Sequence, residues 1–135
     1  MKKLAYLLFA LTSFNALADV AVVVNKDNTA SFDQDTIKAI YLGKVKSFSN
    51  GEKAVAITLP DDSETKKYFV ENGLSRKTGQ LKAYWAKLIF TGKGVPPKVV
   101  ESSDEVKKLV AQNPNIIGIV ESKDVDSSVK VVAEF

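Results

Sequence analysis

The stretch Ala54-Val-Ala-Ile-Thr-Leu-Pro60, running into Asp61-Asp-Ser-Glu-Thr-Lys-Lys-Tyr-Phe69, constrains the fold more than any other. Its first half is apolar and β-branched, which predicts a strand buried on most of its surface. Pro60 ends that strand. Ser63 is a good helix N-cap, and Asn72-Gly73 closes the helix a few residues beyond Phe69. A buried strand that breaks into a helix leaves the N–H groups of Glu64, Thr65 and Lys66 at the mouth of a sheet. That geometry favours an anion.

The same residues also have a purely structural use. A serine cap satisfies its own helix, and acids near a helix start stabilise it through the dipole. Asp61 and Asp62 put negative charge beside the turn, and Lys66 and Lys67 partly offset them.

The chain has 135 residues, of which 1–18 read as a cleavable signal peptide. Met1-Lys-Lys3 is a basic n-region, Leu4 to Phe14 is apolar but too short to span a bilayer, and Ala16-Leu-Ala18 is an A-x-A site before Asp19. No Cys occupies a lipobox position. The expected mature chain, 19–135, is one periplasmic domain with room for one core and no membrane insertion.

Losing Lys2 and Lys3 takes the formal charge from +3 to +1. No basic stripe interleaved with aromatics appears, so nucleic acid is not an expected partner. Cysteine and histidine are both absent, which removes the commonest metal ligand and the commonest general base. No metal, cofactor or enzymatic activity is expected. An enzyme built on Asp61, Asp62 or Glu64 lacks a nucleophile with a partnered base.

Strands and helices alternate along the rest of the chain. Val20-Ala-Val-Val-Val24 predicts a buried strand. Ser31 and Gln34 suggest a capping box for a helix carrying Ile37, Ile40 and Tyr41, stopped by Gly43. Ser75 is the expected cap of a longer helix with the stripe Leu81, Tyr84, Trp85, Leu88 and Ile89 facing the core. Thr91-Gly-Lys-Gly94 ends it with a flexible basic tip that lacks the P-loop spacing, and Pro96-Pro97 leads to Lys98-Val-Val100. Ser102 and Glu105 suggest another capping box, with Asp104 placed to pair Lys108. Asn113-Pro-Asn115 breaks that helix. Ile116-Ile-Gly-Ile-Val120 is a buried strand whose Gly118 implies a close backbone approach, and Val129 to Ala133 is a last strand. The alternation predicts an α/β fold, a three-layer sandwich with one sheet covered on both faces.

Several of these segments in order carry a resemblance. Ile40-Tyr-Leu-Gly-Lys44, Phe48-Ser-Asn-Gly51, Ser63 at its helix start, Leu81 through Gly94 and Asn113-Pro-Asn-Ile-Ile-Gly-Ile119 look like the phosphate-binding proteins that serve ABC transporters. The chain resembles a short, single-lobe relative of them, over nearly all of 19–135. The resemblance implies one lobe of a type II periplasmic-binding-protein fold. In two-lobe members the corresponding turn carries an Arg, then Ser-Gly-Thr, around the phosphate. Ser63 and Thr65 match the Ser and Thr, Glu64 stands at the Gly, and Leu59 or its neighbour stands at the Arg. A Glu there repels a dianion, the lost Arg removes a bidentate contact, and Lys66 replaces it only as a point charge.

The expected ligand-binding residues are therefore Ser63, Glu64, Thr65 and Lys66. The expected function is that of a solute-binding-like protein of the envelope, taking an oxyanion such as phosphate weakly at the 60–66 turn, alone or as a homodimer that supplies a second jaw. The alternative is an interaction module that keeps the lobe, has no ligand and binds another envelope protein.

Overall fold

A computed structural model describes residues 19–135; the expected signal peptide lies outside the described residues. The elements are β1 (Val20–Val24), α1 (Gln34–Tyr41), β2 (Val55–Thr58), α2 (Glu64–Tyr68), α3 (Thr78–Phe90), β3 (Lys98–Val99), α4 (Ser103–Gln112), β4 (Ile116–Glu121) and β5 (Lys130–Glu134). A π-helical turn, Phe69–Gly73, extends α2, and a 3-10 turn, Ser122–Asp124, follows β4.

The strands form one five-stranded sheet in the order β3-β2-β4-β1-β5. β2 runs parallel to both β3 and β4, while β1 lies antiparallel between β4 and β5. All five residues of β1 are buried, so side chains alternating to opposite sides both meet covering layers. This is the expected α/β architecture.

Gly118 fixes the spacing of one of these layers. A Cβ on it would sit 2.6 Å from Val106 Cγ1 of α4 and 3.2 Å from Ile57 Cγ1 of β2. The close approach read from the sequence is thus the packing of α4 onto β4. Asn25, directly after β1, is buried, and its Nδ2 donates to Val110 O at 3.0 Å and Ala111 O at 3.1 Å, closing the C-terminal end of α4. The Tyr41 hydroxyl donates to Ile57 O at 2.8 Å and Ile117 O at 3.3 Å, tying α1 to β2 and β4. Burial pushes that phenol's pKa up. Phe69 packs edge-to-face on Tyr41 and on Phe135, with ring centroids 4.9 and 5.8 Å apart.

Four local expectations are corrected. Asp33, not Ser31, caps α1, accepting from Thr36 N at 2.7 Å. The Ser31 backbone N–H instead donates to Ser49 Oγ at 2.8 Å, and Phe32 packs on Phe48. Ser75 does not cap α3. It sits at φ 57°, and the helix starts later at Thr78, with Gln80 Oε1 accepting from Lys77 N at 2.9 Å. Asp104 pairs with Lys107 at 3.6 Å rather than with Lys108. In α3 only Trp85 is buried; Leu81, Tyr84 and Leu88 are half-buried, and Ile89 is 54% exposed. The helix rests on the edge of the core rather than across it.

Candidate functional site

Three parallel strands ending at one edge create a place for a site. β2 runs out at Thr58, β3 at Val99 and β4 at Glu121, and the residues just beyond these ends surround a cavity of about 300 Å³. Crevices outside the carboxyl ends of such strands are the usual ligand position in α/β sheets. Leu59 and Pro60 form its wall below β2, and Ser63 and Thr65 enter from the start of α2. Glu101, Ser102, Ser103 and Asp104 enter from the start of α4, and Glu121 and Asp124 close the far side.

Two serine-capped helix starts therefore face one cavity. Ser63 Oγ accepts from Lys66 N at 3.2 Å, and Ser102 Oγ accepts from Glu105 N at 3.2 Å. Each hydroxyl keeps its own O–H to donate outward. The leading N–H groups of each helix have no partner within the helix.

The expected quartet is divided. Ser63 and Thr65 line this cavity. Lys66 turns to the other side of α2, where its Nζ bonds Asp61 Oδ1 at 2.6 Å. That contact, with Lys82 Nζ 3.6 Å from Asp61 Oδ2, holds the Asp61 carboxyl below the usual carboxylate range. Lys66 and Asp61 line a different cavity of about 290 Å³, between α2 and α3 over Val70, Leu81 and Trp85. Glu64 projects into solvent, 3.6 Å from Lys67, and its side chain lines neither cavity.

The electrostatics of the strand-end cavity follow from this division. Glu101, Asp104, Glu121 and Asp124 line it, and no lysine or arginine does. Lys107 and Lys123 reach Asp104 and Glu121 from outside, each at 3.6 Å. The helix starts offer about half a positive charge each. The cavity can thus donate several hydrogen bonds, but into a negative field.

Sequence reasoning found α2's contribution and missed α4's. The Ser102 cap was visible in the sequence; that it opens onto the same cavity as Ser63 depends on β2 and β3 being adjacent and parallel, which no local pattern states. The four carboxylates come from two separate segments, 101–104 and 121–124, and carry no joint signal.

A mixed sheet with two helix starts at the carboxyl ends of its parallel strands is a lobe of the periplasmic-binding-protein kind. Solved structures agree. The chain is similar to a phosphate ABC transporter substrate-binding protein with bound phosphate from Clostridium perfringens, at 26% identity and TM-score 0.68, covering 85% of this chain and 44% of that one. It is also similar to an ABC-type phosphate transport receptor from Vibrio cholerae, at 22% identity and TM-score 0.65, over 85% and 45%. The PstS protein of Borrelia burgdorferi superposes at TM-score 0.62 with 11% identity, over 86% and 47%. The chain thus spans less than half the length of these proteins, consistent with a single lobe. No protein-family profile matches the sequence, and no curated protein does. Among the described residues no helix is long and apolar enough to cross a membrane, and no group of metal-ligating side chains gathers.

Proposed function

We propose that this protein is a solute-binding-like lobe of the bacterial envelope that engages an oxyanion such as phosphate weakly at the turn between β2 and α2. One observation carries the reading: two serine-capped helix starts converge on a single cavity at the carboxyl ends of parallel strands. Ser63, Thr65, Ser102 and the leading N–H groups of α2 and α4 are the donors. Lys66 contributes at most a distant charge, because it is committed to Asp61. The similarity to phosphate-binding proteins, and the phosphate bound to the Clostridium perfringens protein, support the same ligand class.

Affinity is expected to be low, with a Kd of about 1 mM, equivalent to about −4 kcal/mol. The carboxylate ring opposes a dianion, and a single lobe leaves the site open to water, where charge contacts weaken. A homodimer closing a second lobe over the cavity would raise the affinity.

Calorimetric titration of the protein with phosphate, sulfate and acetate tests the reading. Replacing Glu101 and Asp124 with Gln and Asn removes two repelling charges, each worth about 1 kcal/mol at 4 Å in water-like dielectric. The double variant should bind phosphate about thirtyfold more tightly than the parent. Absence of heat in both proteins at phosphate concentrations well above the expected Kd rejects the anion. The carboxylate-lined cavity with no cation then favours the second reading, a lobe that has no ligand and binds another envelope protein.

A further inference from the structure

We infer that the opposite end of the sheet carries a docking groove for an acidic protein segment with apolar anchors. The groove lies at the amino ends of β2 and β3, between the loop that follows α3 and the chain leading into β2. It has a volume of about 650 Å³, roughly twice that of either cavity described above. Its floor is apolar, made by Ile40, Val55 and Trp85, and Val95, Pro96 and Pro97 form one wall. Val95 is 86% and Val55 38% exposed, so apolar surface lies open along the groove.

Charge selects the occupant. Lys46, Lys53, Lys93 and Lys98 line the groove, and no Asp or Glu does. None of the four makes an ion pair among the described residues, although five other lysines of the protein do. Four uncompensated ammonium groups around an apolar trough complement a segment that alternates carboxylates with branched or aromatic side chains. The lysines steer such a segment in, and the floor holds its apolar residues.

The backbone selects the mode. β3 is an edge strand of the sheet, and an open edge invites strand addition. Pro96 and Pro97 precede it, supply no N–H and, with Lys98, discourage pairing along that edge. The segment therefore binds through its side chains in the trough rather than as a sixth strand. Gly43 and Gly94 seat the Trp85 ring in the floor of this trough. At both positions the Trp85 ring stands where a side chain would be, 2.9 and 3.1 Å from a hypothetical Cβ.

Trp85 is the only tryptophan of the chain and lines the groove, so its fluorescence reports binding; because it also borders the cavity between α2 and α3, the Lys53, Lys98 and Val95 substitutions assign the signal to the groove. The test titrates the protein with a panel of nine-residue peptides (about 30 Å extended) alternating Asp or Glu with Val, Ile or Phe. A matched panel carries Lys in place of the acids. The acidic panel should shift the emission saturably, with affinity falling as salt rises, and the lysine panel should not. Lys53→Glu with Lys98→Glu should weaken binding about tenfold or more through charge reversal, as should Val95→Asp, while circular dichroism and melting stay near the parent's. All three positions are exposed, so the variants retain the fold. Equal binding of both panels, no binding of the acidic panel, or no effect of the substitutions overturns the assignment. So does concentration-dependent self-association that the same substitutions abolish, which would make a second copy of the chain the occupant.

Discussion

Gly43 and Gly118 show how little room single residues have here. Gly43 sits at φ 73°, where only glycine is at ease, and a Cβ there would meet Trp85 Cη2 at 2.9 Å. Gly118 has ordinary dihedrals and fails on space alone, against Val106. Gly118→Ala should destabilise the protein by about 1–3 kcal/mol through overpacking, read from urea denaturation; an unchanged midpoint would mean α4 can lift from the sheet freely. Trp85→Ala should cost about 3 kcal/mol, since Trp85 is only 8% exposed although its helix neighbours are open. Asp61 gives a pH signature. Its pKa is depressed in the folded state, chiefly by the hydrogen bond from Lys66, so the stabilisation is present above the unfolded value near 3.8 and is lost as pH falls through the folded value. Melting temperature should therefore drop more steeply below about pH 4 in the parent than in Asp61→Asn. Parallel profiles would show that the pair contributes nothing, which its exposed carboxylate makes a real outcome.

At the scale of elements, helices and strands were legible where one pattern dominated, as were the starts of α2 at Ser63 and α4 at Ser102, whereas the starts of α1 and α3 were not. Val20–Val24 and Ile116–Val120 are apolar runs with a single sensible reading. At the start of α1 the expected Ser31 gave way to Asp33, as Phe32 packs on Phe48 and Ser49 engages Ser31, both contacts made by a loop some 17 residues away in sequence. Chemical denaturation should show Asp33→Ala to be destabilising and Ser31→Ala nearly neutral; the reverse order would restore the Ser31 cap. The start of α3 was displaced for a similar reason. The π-helical turn at Phe69–Gly73 carries the chain further round than an ordinary helix stop, and Arg76 then lies over the Tyr84 ring, 4.9 Å from its centroid. Neither the extra residue of a π turn nor a cation on a ring is written in hydrophobic periodicity. The strand-end cavity followed the same rule: that Ser63 and Thr65 line it could be read from one strand–helix junction, whereas the direction of Lys66 could not. Its neighbour Thr65 lines the strand-end cavity, but 100° of helix rotation sends Lys66 to Asp61 on the other side.

At the scale of the molecule, the two ends of the parallel strands carry opposite charge. Carboxylates gather beyond β2, β3 and β4, and lysines gather before β2 and β3. A near-neutral total thus conceals a polarised lobe. The sheet also joins the earliest described strand to the latest two: Val20 pairs with Glu121 and Ala21 with Glu134, and the Asp19 N–H donates to Phe135 O at 2.7 Å. Of the described strands β1, an interior one, is therefore made first and its partners last. A ribosome must add about a hundred residues after β1 before β4 exists to receive it, and the wait is imposed by topology rather than by stability. Until then an unbroken apolar strand, Val20–Val24, has both edges open and no native neighbour, the condition under which chains aggregate or meet a chaperone. Refolding from urea should accordingly be slow for a domain of this length, and β1 amides should gain protection against hydrogen exchange only in the final phase.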